Sequence, residues 1–191
     1  MLNHLRTGVS LLILFTALTG IAYPLAITGI AKATMPSQAQ GSLIEKDGKI
    51  IGSALIGQNF ASDKYFWPRP SATGDAPYNA AASTGTNLGT TSEKLKQAVK
   101  AEVDRLHKAG ITGAIPADAA TSSGSGLDPH ISPAFALAQA DRVAKARNLP
   151  ADKIKALVDE HTEGRLFGII GEPRVNVLEL NMALDSYKPQ Q

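Results

Sequence analysis

No cysteine occurs among the 191 residues, which excludes a disulfide framework, a thiolate nucleophile and a Cys-ligated zinc while leaving the redox compartment open. An excess of one charge is missing too: 19 Lys and Arg stand against 17 Asp and Glu, for a formal net charge of +2. The basic footprint of a nucleic-acid binder is therefore absent. Neither a phosphate-binding loop nor a phosphorylatable Asp-Lys-Thr-Gly-Thr string is present, so this chain is not the motor of an ATP-driven pump. Gly124-Ser125-Gly126 lacks the third glycine and the basic residue of a phosphate cradle and reads as a turn. No HExxH and no GxSxG occurs, and His4, His107, His130 and His161 make no i, i+4 pair, which removes the usual marks of a metalloprotease or a serine hydrolase. What remains is a composition of 43% hydrophobic and 19% charged residues, that of a globular protein.

One stretch departs from that average. Residues 7–31 carry no charge, and as a helix they would extend about 37 Å, enough to cross a bilayer core of about 30 Å with some tilt. Small residues at a spacing of four, Thr16 with Gly20 and Ala22 with Ala26, would let another helix approach closely. Pro24 should kink the helix and free a carbonyl that a neighbouring helix or a side chain such as Thr19 or Thr28 could satisfy. Ala31-Lys32-Ala33 imitates a signal-peptidase site, but the apolar run is longer than the 7–15 residues, roughly, of a signal sequence, which favours a retained anchor. Arg6 precedes the span, and a short basic tail stays cytoplasmic, so the remainder is expected outside the cytoplasm.

After the anchor, residues 1–33, a polar linker is expected at 34–41 and one domain at 42–191. Two apolar runs flank Lys46-Asp47-Gly48-Lys49, a β-hairpin signal. Residues 59–91 are rich in Pro, Gly, Ser, Thr and Asn around an aromatic knot, Tyr65-Phe66-Trp67, followed by Pro68-Arg69-Pro70; so long an irregular segment is usually functional. Leu95, Val99, Val103 and Leu106 place an amphipathic helix between Ser92 and Gly110. Ser132 with Pro133 should open a second helix running to about Asn148, and Pro150 a third, ending near Gly164. The tail 175–187 alternates like a strand but also fits a helix, and Asn176 with Glu179 resembles a capping box, which favours helix.

Among single residues, Arg69 stands out, held between prolines and next to Trp67. It could form an interface anchor with the aromatic knot, or Phe66 and Trp67 could fill the core while Arg69 pairs with Asp63 or Asp75. Arg174 is open to the same two readings. His130, beside Asp128, is the histidine in an irregular segment, where a turn role outweighs a catalytic one; a membrane-tethered envelope enzyme using this pair is the minority reading.

Taken together, residues 65–95 (YFWPRPSATGDAPYNAAASTGTNLGTTSEKL), the segment SSGSGLDPHISPAFALAQADRVAKARNL and the terminal GEPRVNVLELNMALD resemble the C subunit of the bacterial Kdp complex, a high-affinity ATP-driven potassium uptake system. The likeness extends over nearly the whole chain. Pro68 stands where that family often has Gly, and Thr84-Gly85-Thr86 replaces a more glycine-rich stretch. The resemblance implies an α+β architecture, with one N-terminal transmembrane helix followed by a single mixed helix/β-hairpin extracytoplasmic domain, in the bacterial inner membrane. It implies as partners a channel-like potassium-translocating subunit, a P-type ATPase subunit, a small single-helix subunit and the lipid bilayer, with no nucleic acid. The implied role is non-catalytic: stabilising assembly and covering the outer potassium entrance. A different implied role is that of a catalytic chaperone raising the ATPase subunit's affinity for ATP, for which the family's nucleotide-contacting glutamine corresponds to Gln139. No catalytic residue, bound metal or resident cofactor is expected, ATP entering only through the ATPase subunit. The motifs and the anchor supply the interface candidates Thr16, Gly20, Pro24, Tyr65, Phe66, Trp67, Arg69, Pro70, Asn79, Asp128, His130, Arg174 and Asn176. An outer domain cannot meet cytosolic ATP, so a direct contact by Gln139, expected on an exposed or interfacial helix face, conflicts with the expected topology.

Overall fold

A computed structural model describes residues 2–187. The chain divides into two compact units, Met1–Ile51 and Gly52–Gln191.

The first unit is dominated by a helical run, Leu2–Thr34, long and apolar enough to cross a membrane by length and composition, with no buried residue. It comprises α1 (Leu2–Ala17), a π-turn (Leu18–Ala22) and α2 (Tyr23–Thr34). The π-turn has a local cause. Pro24 cannot donate to the carbonyl of Gly20, and its ring would clash there; widening the preceding turn lets the Tyr23 N–H reach back to Leu18 O. Thr19 Oγ1 donates to Phe15 O at 2.7 Å, not to the carbonyl that Pro24 releases. A short helix, α3 (Pro36–Ala39), occupies part of the expected linker. Strands β1 (Leu43–Lys46) and β2 (Lys49–Ser53) pair as the Asp47-Gly48 turn demands: both turn residues take positive φ, 53° and 72°, as a type I′ hairpin requires.

The second unit packs helices on one small sheet. Helix α4 (Glu93–Lys108) closes with Gly110 at φ 83°, which lets the Ile111 N–H turn back to Leu106 O at 3.0 Å and seats Leu106 and Ile111 in the core. After α5 (Ala117–Ala120) and β3 (His130–Ile131) comes α6 (Pro133–Arg147). Ser132 Oγ accepts from the Phe135 N–H at 3.1 Å, and left-handed Asn148 ends the helix, as the sequence indicates. Helix α7 (Ala151–Glu160) stops short of Gly164 because Thr162 Oγ1 donates to Val158 O and the next residues join the sheet. That sheet is antiparallel, in the order β3, β5 (Arg174–Asn176), β4 (Thr162–Glu163), with Ile131 opposite Val175 and Thr162 opposite Val175 on the other edge. Helix α8 (Val177–Ser186) follows β5 directly, so the strand and helix patterns of the tail are both real, in succession. Phe66, Leu106, Phe135, Val143, Ile154, Val175, Leu180 and Leu184 make the core. The architecture is the α+β expected: an apolar N-terminal helix, then helices with small antiparallel sheets.

Candidate functional site

The longest irregular segment passes through the core, where every backbone polar group needs a partner. Helices α6 and α8 supply them. The Phe66 N–H donates to Asn181 Oδ1 at 2.8 Å and Asn181 Nδ2 returns a bond to Phe66 O at 3.0 Å. One residue on, the Trp67 N–H donates to Gln139 Oε1 at 2.7 Å and Gln139 Nε2 donates to Trp67 O at 3.1 Å. Two buried carboxamides thus imitate the ladder of a neighbouring strand. Arginines complete it: Arg142 donates to the carbonyls of Asp63 and Tyr65, and Arg147 to that of Lys64. Five consecutive carbonyls, from residue 63 to residue 67, are therefore held by side chains of two helices.

Trp67 lies between two guanidinium groups, Arg105 at 4.3 Å and Arg142 at 3.8 Å from the ring centroid, a doubled cation–π contact. Arg105 is steadied by Glu102. Burial pulls Arg142 down to about 10, opposed by Asp63 and assisted by Arg105; it remains charged at neutral pH. Tyr65 stacks obliquely on Phe60 and donates to Asp185 at 3.1 Å.

Arg69 points the other way. Its Nη1 meets Asp128 Oδ2 at 2.8 Å, and its remaining nitrogens reach the carbonyls of Thr121 and Ser122 at 3.4 Å. The partner is thus Asp128, not Asp63 or Asp75, because the Asp128 loop is drawn against the 69–85 segment. Ser71 Oγ donates to Gly126 O at 2.7 Å and the Thr84 N–H to Ser125 O at 3.0 Å. Gly126, at φ 68°, packs so tightly that a Cβ would stand 2.7 Å from Thr84 O. The amide N–H groups of Gly126 and Leu127 are taken by Ser123 and Ser125 hydroxyls, so the Gly124-Ser125-Gly126 turn serves as a zipper between segments.

Tyr78 lies under the ion pair, donating to Arg69 O at 2.8 Å. Burial pushes its phenol above the usual range, Asp128 adds to this and Arg69 opposes it. Asp128 behaves oppositely: burial would raise its carboxyl, but hydrogen bonds from the His130 ring and backbone N–H, and then Arg69, outweigh it and bring the value from 3.8 down to about 2. A depressed carboxyl stabilises the fold above its unfolded value and loses that contribution as pH falls towards the folded one. Wild-type stability should therefore decline between about pH 4 and about pH 2 by about 2 kcal/mol on account of this group. Asp128→Asn should flatten that limb, which acid titration of the thermal midpoint checks.

A surface recess of about 580 Å³ is lined by Arg69, Asp118, Asp128, His130, Ser132 and Arg174. His130 Nδ1 lies 3.4 Å from Asp128 Oδ1, but the Ser132 hydroxyl is spent on Asp118 at 2.9 Å and on its own helix cap. The His–Asp pair therefore has no Ser132 nucleophile to activate. Pro70 is half-buried beside this region. Arg174 is exposed and pairs with Glu163 at 2.9 Å. Asn79 caps a short 3-10 turn, accepting from the Ala81 N–H at 3.0 Å. Asn176 is buried, caps α8 and donates to Ala54 O at 2.8 Å. Thr16, Gly20 and Pro24 are exposed in the first unit, with Thr16 one helical turn before Gly20.

Gln139 needs correction. It is 0% exposed and has both ends of its amide bonded to the Trp67 backbone, so it is not an exposed helix residue. Phe66, Trp67 and Asn176 are likewise buried within this chain. Asn181, Arg142 and Tyr78 were not singled out from sequence.

The family model described as K+-transporting ATPase, c chain, matches residues 5–186. The potassium-transporting ATPase KdpC subunit of Allorhizobium ampelinum is 57% identical over 186 residues, covering 97% of each chain. That of Dechloromonas aromatica is 59% identical over 185 residues, 95% of this chain and 96% of its own. That of Methylococcus capsulatus is 52% identical over 190 residues, 98% of this chain and all of its own. With a match of that extent and relatives that similar along their whole lengths, the chain belongs to the family of the K+-transporting ATPase c chain.

Proposed function

We propose that the chain is a non-catalytic accessory subunit of an ATP-driven potassium transport complex. A single span holds it in the bacterial inner membrane with the N-terminus in the cytoplasm. Its folded domain lies outside, stabilising the assembly and covering the outer entrance of the potassium-translocating subunit, with a P-type ATPase subunit and a small single-helix subunit as its other partners. The observation that carries this reading is the commitment of Gln139 to Trp67. Those bonds support a fold-holding role for the residue that the family proposal links to nucleotide, and leave the surfaces of the domain for partners. Influence on ATP affinity then passes through linkage: preference for one state of the assembly changes nucleotide binding elsewhere by the same coupling free energy. Affinity purification on a tagged pore subunit from detergent-extracted membranes tests it. The chain should be retained in fixed ratio with the ATPase subunit, and a chain that elutes alone would overturn the reading.

A further inference from the structure

Between β4 and β5 the chain makes a detour whose tip is apolar and uncovered. Leu166, Phe167, Ile169 and Ile170 are 59%, 85%, 77% and 57% exposed. Single exposed hydrophobic residues are ordinary, whereas four within five positions form a patch. The tip has a defined shape. Leu166 and Ile170 exchange both backbone hydrogen bonds, at 2.9 and 3.0 Å, and the Gly168 N–H donates to Arg165 O at 3.0 Å. Ion pairs close the base, Arg165 with Glu172 at 2.7 Å and Arg174 with Glu163 at 2.9 Å. Phe167 stands at φ 54°, a left-handed backbone that a bulky aromatic rarely adopts. Nearly all of its surface is in solvent, so packing within the domain does not repay that strain; strain of this kind collects where a side chain must be displayed.

The surroundings indicate what covers it. Both arginines at the base are matched by glutamates, leaving no surplus positive charge for the anionic headgroups that interfacial membrane segments use. An apolar centre with a neutralised charged rim is the anatomy of a protein interface. Four side chains fall far short of the roughly 800 Å² per partner of a self-sufficient interface, so the tip fits a partner already held close, where effective concentration supplies the rest. We propose that residues 166–170 are a preformed anchor that enters an apolar recess on the outer face of the potassium-translocating subunit; this rests on the function proposed above.

In membranes carrying the whole complex, p-benzoylphenylalanine in place of Phe167 should photo-cross-link to the pore subunit, while the same group in place of the exposed Asp152 on α7 should not. Phe167→Gly should lower retention on the tagged pore subunit about tenfold and leave the thermal midpoint of the chain unchanged or higher, because glycine relieves the positive φ. A structural role for Phe167 would instead lower the midpoint. Adducts only with lipid, adducts only with a second copy of this chain, or no adduct from a complex that co-purifies intact would overturn the anchor while leaving the accessory role standing. A wild-type chain that fails to co-purify would bring down both.

Discussion

Gln139→Leu is expected to cost about 4 kcal/mol of folding stability, since it leaves the Trp67 N–H, the Trp67 carbonyl and one Arg142 N–H without partners inside the core, at about 1–3 kcal/mol each and less than additively. Leucine is close to glutamine in size, so the loss reports hydrogen bonding and not a cavity. Trp67 is the only tryptophan of the chain, and its fluorescence during urea unfolding in detergent reads the clamp directly. Gln139→Glu should be milder, about 2 kcal/mol: the acceptor for Trp67 N–H and Arg142 survives, while the donor to Trp67 O is lost. These losses should occur with no nucleotide present. A glutamine whose task is to touch ATP would give a stable variant whose only defect is in nucleotide affinity.

Trp67→Ala should destabilise by about 3–5 kcal/mol through lost burial and the cavity it leaves. A second effect comes with it: Arg105 and Arg142 lose the ring that separates and attracts them, so two cations are left facing each other across a void. Trp67→Phe keeps a ring between them but loses the indole N–H bond to Ser62 O at 3.1 Å, and should cost about half as much. Far-UV circular dichroism follows both variants, the fluorophore being gone. Preservation of stability in Trp67→Ala would refute the claim that this knot organises the domain.

Helices α4, α6 and α7 are legible in the sequence because each carries its own signals: periodic Leu and Val, Ser132 before Pro133, Pro150 at an entrance. The hairpin is legible for the same reason, since Asp47 and Gly48 can be read without knowing what lies across the molecule. The candidate site is not local. Gln139 meets a backbone 72 positions away and Asn181 one 115 positions away, and nothing within a helix distinguishes a carboxamide aimed at buried backbone from one aimed at water. Arg69 illustrates the same limit. Its neighbours in sequence suggest Asp63 or Asp75, yet the fold brings Asp128 to it across 59 positions. The three-stranded sheet escapes notice because strands of two or three residues are too short to show a period of two. The tip at 166–170 escapes for the opposite reason: its composition is that of a buried strand, and only the fold leaves it in the open.

The side of the membrane that the domain occupies decides between the outer accessory role and a direct contact with ATP. Because the chain has no cysteine, Ala114→Cys, in an exposed loop before α5, gives a single reporter. In intact spheroplasts a membrane-impermeant maleimide should label it fully without lysis. Labelling that appears only after the membrane is broken would place the domain beside cytosolic ATP and contradict the role proposed here.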